Sequence, residues 1–176
     1  MTEILWHGRG GQGAFTAARL LGAAYALNEQ GYALSFPSFG PERRGAPIRA
    51  FTKLDQQPIG NRSEIIRADV SIFLDDTLFS DSAFAELKEG GIVLLNTKQS
   101  IENSRVITLD GDRIAQETLG LPITNTVMLG AFSALYDDIP IEAIEEAIRQ
   151  NMPEKLWQKN IAAVRAAREA VLCNHI

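Results

Sequence analysis

The chain has 176 residues, a net charge of −5 and 45% hydrophobic residues, enough for one domain with its own core. The acidic balance argues against a phosphate-tracking surface, so no nucleic-acid partner is expected. No apolar run approaches the roughly 20 residues that cross a bilayer, and the N-terminus lacks a basic leader; no membrane association and a cytoplasmic location are expected.

In chain order, Ile4 to His7 reads as a first strand. Gly8-Arg9-Gly10-Gly11-Gln12-Gly13 follows, and Ala14 to Asn28 reads as a helix that Gly31 ends. Tyr32 to Phe36 is a second strand and Pro37 to Pro47 a loop rich in proline and glycine. Ile48 to Leu54 alternates, with Ile48, Ala50, Thr52 and Leu54 on one face and Arg49, Phe51 and Lys53 on the other. Asp55 to Pro58 predicts a turn into a return segment at Ile59, hence an antiparallel hairpin over 48–59. Val70 to Leu74, Ile92 to Leu95 and Arg105 to Leu109 are further strands. Short helices are predicted over Ser82–Lys88 and over Asp112–Leu119, the second closed by Gly120. Thr124 is placed to cap a helix from Asn125 to Tyr136. Pro140 starts Ile141 to Gln150, whose Glu142, Glu145 and Glu146 read as a solvated face. Asn151 and Glu154 have capping-box spacing before a last helix. Its Trp157, Ile161, Val164 and Val171 form a stripe expected to pack on the sheet. Alternating strands and helices predict a single α/β domain over 1–176: a three-layer αβα, Rossmann-like arrangement with a largely parallel sheet.

The glycine loop carries the chemistry. Three glycines at G-x-G-x-x-G spacing, between a strand and a helix, aim backbone N–H groups at an anion. A dinucleotide-binding domain also needs a carboxylate at the end of strand two for the ribose hydroxyl. Here that place reads Leu34-Ser35-Phe36-Pro37, which weakens a dehydrogenase reading; Ser35 is left as a contact for a 2′-phosphate. Arg9 and Gln12 project from the loop and can reach a phosphate or a neighbouring chain. The one cysteine, Cys173, cannot form an internal disulfide or hold an iron–sulfur cluster, which takes four thiolates. His7 and His175 lack metal-ligand spacing, so no metal site is assigned. His7 reads as a satisfied buried histidine, and Asp75-Asp76 as a helix cap rather than a cation site.

Phe36-Pro37-Ser38-Phe39-Gly40-Pro41-Glu42-Arg43-Arg44-Gly45-Ala46-Pro47 combines three prolines and two glycines around Glu42, Arg43 and Arg44. Rigid surroundings lower the entropy of holding the arginines as an anion clamp or docking point. Together with the glycine loop, this segment resembles the gamma subunits of pyruvate:ferredoxin oxidoreductases, in the wider 2-oxoacid:acceptor oxidoreductase family. Arg62-Ser63, Asp75 and Asn125-Thr126-Val127-Met128-Leu129-Gly130-Ala131 extend the resemblance along nearly the whole chain.

The resemblance implies a non-redox subunit, inactive alone, of a complex that converts a 2-oxoacid (pyruvate in the first place) and coenzyme A to acyl-CoA and CO2. Electrons pass to ferredoxin or flavodoxin. Thiamine diphosphate and the iron–sulfur clusters are expected on alpha, beta and delta-type partner subunits. Gly111-Asp112-Arg113, the nearest echo of a thiamine diphosphate signature, lacks its second glycine. This chain is expected to contribute structure and coenzyme A access. Gly8, Arg9, Gly10, Gly11, Gln12 and Gly13 are assigned to anion contact or chain–chain packing. Glu42, Arg43 and Arg44 are assigned to the phosphate or carboxylate clamp, and Asn125 and Thr126 to polar contact near the assembled site. No residue is assigned to proton transfer. The competing readings are a stand-alone nucleotide-binding or sensor module, and a self-sufficient dehydrogenase.

Overall fold

A computed structural model describes residues 1–27, 31–38, 40 and 44–174. Among these residues six strands form one sheet: β1 (Thr2–Arg9), β2 (Tyr32–Pro37), β3 (Pro47–Asp55), β4 (Ala68–Phe73), β5 (Leu87–Asn96) and β6 (Val106–Leu109). Their order is β2-β3-β1-β4-β5-β6. Strands β1, β4, β5 and β6 run parallel, with Trp6 opposite Ile72 and Leu94 opposite Ile107. β3 is antiparallel to both neighbours, with Trp6 opposite Ala50 and Ser35 opposite Thr52.

The antiparallel element therefore differs from the hairpin expected over 48–59. Residues 56–60 form no strand. The partners of β3 are β2 and β1 instead, so β2 and β3 are the hairpin's two strands. The connection between them brings residues 44–46 alongside the end of β1.

Five helices among the described residues, α1 (Ala14–Ala26), α2 (Gly111–Leu119), α3 (Asn125–Ser133), α4 (Ile141–Asn151) and α5 (Trp157–Asn174), share the main core with one face of the sheet. Strand periodicity sets the division. Ile4, Trp6, Ala50, Leu54, Ile72 and Leu94 face the helices, while Leu5, Phe51, Phe73, Val93 and Leu95 face the other way. The third layer is thin. It consists of 3-10 turns at Asp76–Leu78 and Asp81–Glu86 together with Ile65 from the segment before β4. The second turn takes the place of the helix expected over 82–88, because Leu87 and Lys88 already pair into β5.

Other differences have local causes. Gly31 does not directly end the helix, since α1 stops at Ala26 with Leu27 as its cap; a Cβ on Gly31 would lie 2.5 Å from the Tyr25 carbonyl oxygen, so close approach explains the residue. Thr124 precedes α3 but makes no side-chain cap; its hydroxyl faces the Leu74 carbonyl at 3.4 Å. Asn151 ends α4 and turns its amide back to the Ala147 carbonyl (2.8 Å), so the capping box with Glu154 does not form. The α5 stripe packs mainly across α3 and α2 and reaches the sheet at β6. At that crossing Gly130 is obligatory, since a Cβ would lie 2.3 Å from the Val164 carbonyl oxygen. Glu145 is buried rather than solvated. Arg165 of α5 donates to it at 2.6 Å, and Arg149 lies 3.5 Å away.

Among the described residues, no helix is long and apolar enough to cross a membrane.

Candidate functional site

The chain leaves β1 on one side through α1 and returns to its other side as β4. A crevice outside the carboxyl ends of the strands belongs at such a switch point. The glycine loop lies there. Gly11 and Gly13 have φ of 96° and 81°, a region that L side chains rarely occupy. Gly13 is also the residue before α1, and a Cβ on it would sit 2.5 Å from Asn125 Nδ2. Asn125 thus seats α3 against the loop, with its amide 3.4 Å from the Gly13 carbonyl.

Two side chains expected to reach outward turn inward. Arg9 Nε donates to Asp75 Oδ2 (3.1 Å), one terminal nitrogen to the Gly45 carbonyl (3.1 Å), and the other to Thr77 Oγ1 (2.7 Å). Gln12 accepts from the Arg9 backbone N–H (2.7 Å) and donates to Asp75 Oδ2 (3.0 Å). Asp75 Oδ1 accepts the Thr77 N–H (3.0 Å) and hydroxyl (2.5 Å), which makes Asp75 the cap of the 3-10 turn, as its sequence position suggests. Burial acts against its charge, but the bonds from Thr77 and Gln12 and the Arg9 guanidinium outweigh burial and hold its carboxyl below the usual range.

The second loop is attached by backbone. Gly10 N–H donates to the Ala46 carbonyl (2.8 Å) and Gly45 N–H to the Gly10 carbonyl (3.0 Å). Arg44 pairs with Gly10 as an isolated parallel bridge, and its residue is exposed. Glu42 and Arg43 lie outside the described residues.

Among the described residues two hollows flank the glycine loop, and their charge separates them. One, of about 590 Å3, is lined by Gly10, Gly11, Gly13, Phe15, Thr16, Arg44 and Ile48. The first intrahelical bond of α1 runs from Ala17 N–H to the Gly13 carbonyl (3.0 Å), so the N–H groups of Ala14, Phe15 and Thr16 precede the ladder. With Arg44 beside them, these donors suit an anion. The other hollow, of about 350 Å3, is lined by Gln12, Asp75, Asp76, Asn96, Lys98 and Asp112. Its carboxylates repel an anion.

Not every expected residue gathers here. Thr126 is fully buried and donates to Asn160 Oδ1 (2.8 Å), tying α3 to α5 away from the loop. Ser35 donates to the Ala18 carbonyl (2.8 Å) and so braces α1. His7 stacks flat on Phe73, with ring centres 4.1 Å apart. Its Nε2 is buried with Glu86 Oε2 as its partner at 3.1 Å, a contact too poorly aligned to count as a regular hydrogen bond among the described residues. The His7 contact, aided by Arg49, holds the Glu86 carboxyl below its ordinary value. Cys173 is exposed near the end of α5.

The residues missed by sequence reasoning are Thr77 and Gly45, together with the second role of Asp75. A signal was present. Asp75 ends the strand parallel to β1, so it must lie beside Arg9, and a loop cation needs a counter-charge.

Fold and site together define a class: an α/β domain that presents backbone donors and an arginine beside a glycine loop, without the strand-two carboxylate of dinucleotide-binding dehydrogenases. Comparison with known proteins agrees and goes further. Residues 3–170 match the family model described as pyruvate ferredoxin/flavodoxin oxidoreductase. A pyruvate synthase subunit PorC of Methanothermobacter marburgensis is 45% identical, over 96% of this chain and 97% of its own length. A pyruvate/ketoisovalerate oxidoreductases common subunit gamma of Pyrococcus abyssi is 45% identical over 96% of both chains. The crystal structure of a pyruvate oxidoreductase subunit of Thermotoga maritima superposes with a TM-score of 0.81, at 35% identity, over 96% of this chain and 95% of that one. The chain belongs to the pyruvate ferredoxin/flavodoxin oxidoreductase family and is of its gamma-subunit type.

Proposed function

We propose that the chain acts within an assembly of alpha, beta and delta-type subunits that oxidises pyruvate with coenzyme A to acetyl-CoA and CO2. Two electrons leave to ferredoxin or flavodoxin. The relatives' names support this substrate class, one being a pyruvate synthase subunit and another a subunit common to pyruvate and ketoisovalerate enzymes. The observation that carries the proposal is the joining of the two motif loops through Gly10, Gly45 and Ala46 into one surface at the sheet's carboxyl end.

That surface fits the phosphates of coenzyme A. The start of α1 supplies N–H donors, Arg44 a cation, and Gly11 an open approach, since a Cβ there would meet nothing within 4 Å. Arg43 and Glu42, adjacent to Arg44 in sequence, are kept in the proposed clamp on their sequence position alone. Asn125 keeps the loop seated. The chain's part is to bind and orient; no proton transfer is assigned to it.

The other cofactors do not fit this chain. A single exposed cysteine cannot hold a cluster. Among the described residues no three His, Cys, Asp or Glu side chains group to hold a metal, including one that would serve thiamine diphosphate. Both are assigned to the partner subunits.

Reconstitution with and without this polypeptide is the test. Coenzyme A-dependent pyruvate oxidation that needs the chain, and partners carrying thiamine diphosphate and clusters, support the proposal. Turnover by the chain alone with NAD(P) would overturn it.

A further inference from the structure

Arg9 and Arg44 are both arginines in motif loops, yet their surroundings are opposite. Every nitrogen of the Arg9 guanidinium has an acceptor within the chain, whereas Arg44 borders the anion-suited hollow. The acceptors of Arg9 lie on two different segments, the 75–77 turn and Gly45. Gln12 adds a third tie, from inside the glycine loop to the same carboxylate oxygen. One carboxylate therefore collects donors from the glycine loop and from the turn after β4, and through Arg9 it reaches the proline-rich loop.

We propose that Asp75 is the positioning residue of this site: acting through Arg9 and Gln12, it holds the glycine loop and the 44–46 segment as one rigid surface, and Arg9 serves as a brace rather than as a ligand for the anion. The assignment of that surface to coenzyme A rests on the function proposed above; the brace does not.

Several observations support it. The side chain of Asp75 is 17% exposed and that of Arg9 34%, so the pair is shielded but not sealed. Charge-assisted bonds of this kind are about twice as strong as neutral ones. Backbone bonds through Gly10 and the Asn125 contact fix parts of the loop, but Gly11 and Gly13 leave its backbone more conformational freedom than other residues would, so side-chain ties add to its order. Without the brace, the α1 donors and Arg44 would meet an anion only after ordering, which lowers affinity without altering the bonds made once bound.

The test compares Asp75→Asn, Arg9→Ala, the double variant and Arg44→Ala in the full chain and in the reconstituted complex. Asp75→Asn keeps the shape but can turn an NH2 group toward the donors of Arg9 and Gln12. Amide hydrogen exchange is the first readout. At Arg9, Gly10, Gln12 and Gly45 it should rise roughly tenfold in Asp75→Asn while β5 amides stay unchanged. Arg9→Ala should produce the same pattern, and the double variant should add little to either. In the complex, Asp75→Asn should raise the coenzyme A KM with kcat retained, and Asp75→Glu should restore part of the loss. Unchanged exchange at both loops overturns the brace. A raised KM in Arg44→Ala with an unmoved KM in Asp75→Asn also overturns it, and leaves the coenzyme A reading standing. Raised loop exchange with no KM change in any variant keeps the brace and removes the coenzyme A reading.

Discussion

The two ends of the sheet both carry ion pairs, and they use them differently. At the amino end Lys53 is fully buried on β3, 3.7 Å from Glu3 and donating to the Asn61 carbonyl at 3.2 Å. Lys88 joins Glu3 (3.0 Å) to Asp69 (2.7 Å). These contacts tie four strands, β1, β3, β4 and β5, and the segment before β4 into the fold. At the carboxyl end the Asp75–Arg9 pair ties loops together at the rim of an open crevice. The buried Lys53–Glu3 pair is expected to matter for folding, and the half-buried Asp75–Arg9 pair for how rigid a surface is.

The sharpest way to break the contrast is Lys53→Ala. It leaves a cavity and removes one partner of a buried pair, with an expected loss of about 3–5 kcal/mol. That loss corresponds to a fall in Tm of roughly 2–4 °C per kcal/mol, measured by calorimetry. A near-neutral result would mean that the amino end is no more than a surface network. Gly13→Ala comes next. It forces a left-handed residue and pushes a Cβ onto Asn125, an expected cost of about 1–3 kcal/mol by denaturant titration. It should also weaken coenzyme A binding, which Lys53→Met, retaining the aliphatic stem, should leave closer to normal.

The Asp75 and Lys88 contacts should also loosen at opposite extremes of pH. Asp75 has a lowered carboxyl pKa. Its contribution is fully present above the unfolded value, near pH 4, and is lost as pH falls through the lower folded value. Lys88 is raised: burial works against its charge, but Asp69 and Glu3 outweigh burial. Its contribution is complete below the unfolded value, about pH 10.4, and is lost as pH rises through the higher folded one. Residue-resolved exchange should therefore show the 9–13 and 44–46 segments opening in acid, along with the Met1–Asp55 contact, whose carboxyl is also lowered, and the contacts of Lys88 with Glu3 and Asp69 loosening in alkali. The reverse pattern would separate the pKa shifts from the roles given to these pairs. Cys173→Ser is the smallest expected effect, within about 0.5 kcal/mol, as for an exposed side chain without a role.

How far the residues alone foretold this depends on the range of each interaction. The glycine loop's place between β1 and α1 is local, and so are the alternation of Ile48 to Leu54 and the left-handed Gly120 after α2. Pairing is not local. That β3 lies between β2 and β1, and not against a return segment at Ile59, depends on pairings well beyond the reach of a turn, 13 to 23 positions apart with β2 (Pro37–Ala50 to Tyr32–Asp55) and 38 to 52 with β1 (Arg9–Pro47 to Thr2–Leu54), and on contacts such as Trp6 Nε1 to Thr52 Oγ1 at 3.1 Å. Glu145 looked solvated because its partner Arg165 lies on another helix. Arg9 and Gln12 looked free for the same reason. The alternation places Lys53 on one face of its strand, but nothing periodic announces that an irregular segment covers that face.

The most direct measurement is the coenzyme A KM of the reconstituted complex carrying Arg44→Ala. A lost charge-assisted phosphate contact of about 1.5 kcal/mol predicts a roughly tenfold rise, with kcat and Tm nearly unchanged. An unaltered KM in a correctly assembled complex would contradict the claim that the two joined loops form the anion-contacting surface.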